Sequence, residues 1–342
     1  MKRWMNVILG MLLAISLLAG CSGNNGKTVQ EEMGSSSAET SSSQESNSST
    51  SEGDAVTEDN PEISSVYMTT EMTPEALIRL YDALKITLPE SITVRTAMDD
   101  YHLSPELVGR LAQHLNATIS ECTSVAGGSA SAPVHYQMAK DIGFADYAPI
   151  DIMDENGSLS LPVTNGIHLS ENLVGNNMKN YESMVLMTRF RSHYYAGYGG
   201  MLKSLSIGLA SGEGKAWIHS AGTSITDISG DLTEFKEGVV DAASSVMDYL
   251  DGNIVYINVI DGYSVGCDCP DNESQSEDVH SIGILASTDP VALDKACLDL
   301  MENSEQGSVV FEKIESQNGL YLINHAYERG LGNIQYEIIN ID

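Results

Sequence analysis

Apolar and polar positions along the chain fall into two alternating periods. Leu77, Leu80, Tyr81 and Leu84 recur at helical spacing. Thr73-Pro74-Glu75 ahead of them supplies an N-cap hydroxyl, a proline at the first helical position and an early acid. Ile92 to Thr96 is a short β-branched run of strand type. Ser104-Pro105-Glu106 opens a second helix with Leu107, Val108, Leu111 and Leu115 inward, and Ala117 to Glu121 returns to a strand. Pro133 to Ile142 reads as a helix closed by Gly143, Asn156-Gly157 as a turn and Met184 to Phe190 as a strand. Phe235 to Leu250 is the longest helical pattern, ended by Gly252. Ile254 to Ile260 and Ile282 to Ala286 are apolar runs of the length of buried strands. Asp289-Pro290 then starts a helix repeating Leu293, Ala296, Cys297, Leu300 and Met301. This alternation predicts an α/β fold, a mainly parallel sheet flanked by helices, as one large domain or two lobes across 63–342.

The pattern before Ile63 differs. Lys2 and Arg3 precede an apolar stretch from Val7 to Leu18, too short to persist as a membrane span, and Leu18-Ala19-Gly20-Cys21 has the form of a lipobox. Residues 1–21 are therefore expected to be a lipoprotein signal. Cys21 would be lipidated and would tether the chain to the extracytoplasmic face of the cell membrane. Residues 22–62 are dense in Ser, Gly, Asn, Glu and Thr, with Lys27 as the one cation. Such a composition buries too little surface to offset chain entropy and predicts a disordered tether.

Charge narrows the partners. The chain carries a net charge of −31, and residues 63–342 hold 14 cations against 39 acids. Nucleic acid is excluded as a partner on this ground, because phosphate contacts dominate that affinity. One stretch departs from the acidic background. Ser183 to Thr226 has a single carboxylate, Glu213, beside Arg189, Arg191, Lys203, Lys215, His193 and His219. Arg191-Ser192-His193 follows the predicted strand, then a Gly/Tyr loop from Tyr194 to Gly200, then a short helix with Lys203. Glycines let backbone approach a ligand, and Arg and Lys match carboxylate or phosphate oxygens. Arg191, His193, Lys203 and His219 are thus candidates for binding a small anionic ligand. The plainer alternative is that Arg189 and Arg191 pair with surface carboxylates.

A second candidate site lies between the strands at Ile254 and Ile282, in an acidic loop carrying Cys267-Asp268-Cys269 and His280. Cys122 ends a strand that should release its loop at the same sheet edge. Cys267, Cys269, Cys122 and His280 could together hold an Fe–S cluster, Zn or Cu(I). The alternatives are a disulfide, open to an exported chain and easier from Cys122 to Cys267 or Cys269 than between those two, and inert thiols. Cys297 falls on an apolar helix face and reads as core. His135 follows the Cys122 loop and could face it; His102, His114, His168 and His325 carry no signal. No G-x-G-x-x-G follows a strand, no Walker A sequence occurs, and neither a Ser–His–Asp order nor a G-x-S-x-G elbow is read to support a hydrolase.

Cys267-Asp268-Cys269, then His280-Ser281-Ile282-Gly283-Ile284, then Ser287-Thr288-Asp289-Pro290-Val291-Ala292-Leu293-Asp294 resemble the bacterial and archaeal domain family numbered 362, often labelled "iron–sulfur centre protein". The resemblance runs from about Thr70 to the C-terminus. It implies a strand ending in basic-x-His, a Gly-rich loop and a Lys-Asn pair, where this chain has Ser204 after Lys203. The C-x2-C-x2-C-x3-C run that some members carry is absent here, which speaks against a standard ferredoxin cluster. Three function classes follow: a metal- or cluster-dependent redox domain, a non-catalytic lipoprotein binding a small anion, and a degenerate member serving as a surface scaffold.

Overall fold

Ser64–Thr69 forms the first strand, β1, and from there helices and strands alternate. The computed structural model describes residues 63–99, 102–125, 131–265, 275–277, 281–304 and 307–342. In order come α1 (Pro74–Ala83), β2 (Ile92–Arg95), α2 (Pro105–His114), β3 (Thr118–Glu121), α3 (Ala132–Ile142) and β4 (Ile150–Ile152). The strands β5 (Ser158–Pro162), β6 (Glu171–Gly175), β7 (Ser183–His193) and β8 (Gly197–Tyr198) follow, then the helices α4 (Met201–Ser206), α5 (Gly212–His219) and α6 (Leu232–Tyr249). The chain ends with β9 (Ile254–Val265), β10 (Gln275–Glu277), β11 (Gly283–Ser287), α7 (Pro290–Glu302), α8 (Gly307–Ser316), α9 (Gly319–Glu328) and β12 (Tyr336–Asn340).

Helices start where a short polar side chain takes up an orphan backbone N–H. Thr73 Oγ1 accepts from the Ala76 N–H at 3.2 Å, and Ser211 Oγ from that of Gly214 at 3.1 Å. Asp289 Oδ1 accepts from both Val291 and Ala292 at 2.9 Å. Strands form where β-branched and apolar residues can be buried on two faces. On β7, Met184, Leu186 and Phe190 enter one core while Val185 and Met187 enter the other. On β9, Ile254, Tyr256 and Ile260 divide in the same way from Val255, Ile257 and Val259. The first core is closed by α4, α6 and α7, the second by α1 and α2. Each such fully buried large apolar side chain contributes roughly 1.5–3 kcal/mol. Three layers result, helices on both faces of one sheet.

The main sheet runs β12-β1-β11-β9-β7-β2-β3-β4, with β10 added to β9 and β8 to β7. From β4 through β3, β2 and β7 to β9 every neighbour is parallel, whereas β11 lies antiparallel to both β9 and β1. The α/β class and the mainly parallel sheet agree with the periodicity. Two strands run further than their apolar cores suggest: β7 continues to His193 and β9 to Val265. Arg191 and His193 therefore sit on a strand that overshoots its neighbour β2, and not in the loop after it. Among the described residues no helix is long and apolar enough to cross a membrane.

Candidate functional site

Parallel strands release their C-terminal ends at one sheet edge, and three of those ends carry charge here. β2 ends at Arg95, β3 at Glu121, and β7 rises past both to Arg191 and His193. Above that edge α4 brings Lys203 and α5 brings Lys215 and His219. These residues line one cavity of about 530 Å³. Arg95 and Arg191 are reached from strands far apart in sequence, so only the parallel register places them together.

Four cationic side chains meet in the cavity, and their partners differ. Arg191 Nη1 donates to Asp99 Oδ2 at 3.0 Å. Lys215 Nζ donates to the main-chain oxygens of Thr123 and Ala210 at 2.7 and 2.6 Å. Arg95 is buried with its Nε lacking any hydrogen-bond partner, and Gly208 makes room for it. A Cβ at Gly208 would stand 2.8 Å from the Arg95 guanidinium carbon. Lys203 makes no ion pair among the described residues; of the four, Arg191 alone does. Desolvation and the neighbouring Arg191 and Arg95 push the Lys203 amine down to about 7. Burial also lowers Lys215 and Arg95.

The carboxylates beside them each have a hydrogen-bond partner. Glu121 accepts from the Met98 N–H at 3.0 Å and pairs with His135 Nδ1 at 2.9 Å. Asp99 holds Arg191, and Asp227 accepts from Ser229. Two further imidazoles face the cavity, both kept neutral. His193 Nδ1 accepts from the Ala196 N–H at 3.1 Å, which places the ring proton on Nε2. Burial, then the charge of Lys203, holds His193 well below its usual range and His219 at about 4. His219 stacks on Phe235 at 4.4 Å between ring centroids, and its buried Nδ1 has no partner.

The four residues expected to bind an anion, Arg191, His193, Lys203 and His219, thus line one cavity, joined by His135 and Ser204. Arg189 does not join them. It forms a two-point pair with Asp261, with both contacts at 2.7 Å; the plainer reading had both arginines paired with carboxylates, and Arg191 is indeed paired with Asp99. Cys122 also lines the cavity, but its thiol donates to the Leu209 carbonyl at 3.2 Å and burial pushes it up to about 12. Cys21, Cys267, Cys269 and His280 lie outside the described residues. Among the described residues no three or more His, Cys, Asp or Glu are grouped to hold a metal ion. Cys297 is core.

Sequence reasoning missed Arg95, Asp99 and Glu121. A charged residue closing a short buried strand was the available signal for the first and the last. The chain also contains a G-x-S-x-G string, Gly262 to Gly266, that motif reading passed over. Its Ser264 pairs with Arg191 and Ser276 inside β9, so it lacks the strand-to-helix turn that a nucleophile elbow needs.

A family model described as "Domain of unknown function (DUF362)" matches residues 83–299. Among solved structures, the chain is similar to the lactate racemase apoprotein from Thermoanaerobacterium thermosaccharolyticum, at 13% identity and a TM-score of 0.38, over 82% of this chain and 83% of that one. It is also similar to a protein from Thermotoga maritima, at 15% identity and a TM-score of 0.38. That match covers 66% of this chain and 57% of the other. No curated protein matches.

Proposed function

The chain belongs to the DUF362 domain family, and on that premise we propose that its domain binds a small carboxylate- or phosphate-bearing ligand in the cavity above the ends of β2, β3 and β7. One observation carries the reading. Arg95 and Lys203, in a protein of net charge −31, stand in a shared cavity with neither of them ion-paired among the described residues. Burying a cation without an ion-pair partner costs up to several kcal/mol, here offset only in part by the charges of Glu121 and Asp99. Such a cost is retained where a ligand offsets it, and charge-assisted hydrogen bonds to an anion do so. The size of the cavity suits a metabolite and not a macromolecule. Long-range repulsion from the acidic surface is no obstacle, since it is screened beyond about 8 Å at physiological salt.

The test is thermal unfolding at constant ionic strength with inorganic phosphate, malonate or chloride. At a hundredfold excess over Kd, binding adds about 2.7 kcal/mol, enough for a rise in Tm of about 5 °C or more. Arg191→Met should abolish the rise. A shift no larger than that in chloride, or one unchanged in Arg191→Met, would refute the reading.

In the fuller form of the proposal the domain is carried outside the cell on a lipidated Cys21. An Fe–S cluster or Zn is a separate matter. The described residues do not fit one: the Cys122 thiol is held neutral and hydrogen-bonded, and no other thiol lines the cavity among them. Metal ligation would have to rest on Cys267, Cys269 and His280.

A further inference from the structure

The cavity holds two lysines, and their surroundings assign them different work. Lys215 spends two hydrogens on main-chain oxygens at 2.7 and 2.6 Å, which fixes its nitrogen in place. Lys203 has no hydrogen bond and no ion pair among the described residues. Its helix is nonetheless rigidly seated. The buried carboxylate of Asp294 accepts from the Met201 and Leu202 N–H groups at 2.7 and 3.1 Å, at the start of α4. Gly200 leaves space for that carboxylate, since a Cβ there would stand 2.2 Å from Asp294 Oδ1. An unheld amine on a held helix, aimed into a cavity lined by guanidinium groups, is the arrangement of a nucleophile beside an anion site.

We propose that Lys203 condenses with the carbonyl group of an anionic carbonyl compound, a 2-oxo acid being the simplest, to form an imine. This rests on the anion-binding reading above and deepens it. The carboxylate of the ligand lies on Arg95 and Arg191, which brings its carbonyl carbon to the amine. The nitrogen lone pair forms the C–N bond as the carbonyl π pair moves to oxygen; that oxygen takes a proton and the nitrogen releases one. The same oxygen then takes a second proton and leaves as water while the nitrogen lone pair closes C=N, and the iminium so formed releases its remaining proton to leave the imine and return the proton borrowed. One water is lost, and nothing is oxidised or reduced. His193 Nε2–H can donate a hydrogen bond to the carbonyl oxygen as charge develops on it, the unpartnered His219 Nδ1 can accept one from the reacting groups, and the protons themselves exchange with water. The depressed basicity of Lys203 keeps a large share of it as free amine near neutral pH.

The experiment treats the full chain with pyruvate or 2-oxoglutarate, reduces with sodium borohydride, and maps modified peptides by mass. Expected is a reduced adduct confined to Lys203, diminished by excess inorganic phosphate and absent in Lys203→Arg. That variant keeps the charge, so its stabilisation by phosphate should persist and report that it is folded. If the 2-oxo acids and phosphate stabilise the wild type but Lys203 stays unmodified, the imine is overturned and anion binding stands. If neither stabilises nor modifies it, anion binding falls and the imine with it. Labelling of Lys215 or of surface lysines to the same extent as Lys203 also overturns the proposal.

Discussion

Replacing Lys203 with methionine should stabilise the ligand-free protein. The amine is pushed from 10.5 to about 7 by desolvation and by Arg191 and Arg95. At about 1.36 kcal/mol per pH unit, that difference bounds the cost of its charge at about 5 kcal/mol. Lys203 keeps some contact with cavity water, so a gain of about 1–3 kcal/mol is the reasonable expectation. The sign follows from linkage. A base whose folded pKa is depressed binds its proton less tightly when folded, so the penalty is complete below about pH 7. It fades as pH rises toward 10.5, where the unfolded chain also loses the proton. Methionine fills similar volume without charge. Urea unfolding of both proteins at pH 6 and pH 10, in chloride and free of phosphate, measures the difference, and groups common to both cancel. Lys203→Met should be the more stable at pH 6, with its advantage shrinking toward pH 10. It should also lose the response to phosphate. Equal or lower stability at pH 6, or a difference independent of pH, would refute the reasoning that desolvation and the neighbouring guanidinium groups disfavour this cation.

Three further outcomes are expected. Cys21→Ala should leave the protein uncleaved or released, checked by membrane fractionation and detergent partitioning; an unchanged membrane-bound mature form would remove lipidation from the account. Cys267→Ser and Cys269→Ser should each lower the metal content of anaerobically purified protein. Wild type with less than about a tenth of an equivalent of iron, zinc or copper would instead decide against a thiolate site. Asp294, whose carboxyl is raised to about 7 by burial, folds most favourably when protonated. Stability should therefore fall as pH rises from about 4 to about 7, and Asp294→Asn should flatten that slope; an equally steep slope in the variant would show that another group titrates.

The degree to which this architecture could be read in advance depended on where each element keeps its information. Helices α1, α2 and α7 announce themselves because a capping Thr, Ser or Asp followed by proline is a local signal that the fold has no reason to override. Strands β2, β7, β9 and β11 are legible because burial on both faces demands unbroken apolar runs. β1 and β12 escape notice because much of each stays partly exposed, so neither needs such a run. β5, Ser-Leu-Ser-Leu-Pro, alternates serine with leucine and ends in proline for the same reason. Helix α9 follows an N-cap residue, Asn318, in a left-handed conformation, without the side-chain cap that marks α1, α2 and α7.

The site divides along the same line. Arg191, His193, Lys203 and His219 fall within one stretch whose shortage of acids is visible against a strongly acidic chain, and the structure keeps them in one cavity. The end of β7 was harder to place, since Arg191 and His193 look like loop residues after an apolar core. They remain strand because β8 turns back to pair with them, Ser192 opposite Tyr198 and His193 opposite Gly197. Arg95, Glu121 and Asp99 leave no local mark, because their role exists only once β2, β3 and β7 lie side by side. Arg95 alone in a sequence is one more cation. Behind Gly208, with its Nε unmatched and Arg191 nearby, it becomes one of two guanidinium groups lining the cavity. The feature that makes the site chemically interesting, cations gathered from separate strands and helices, is a property of register, and register is what a single sequence expresses least.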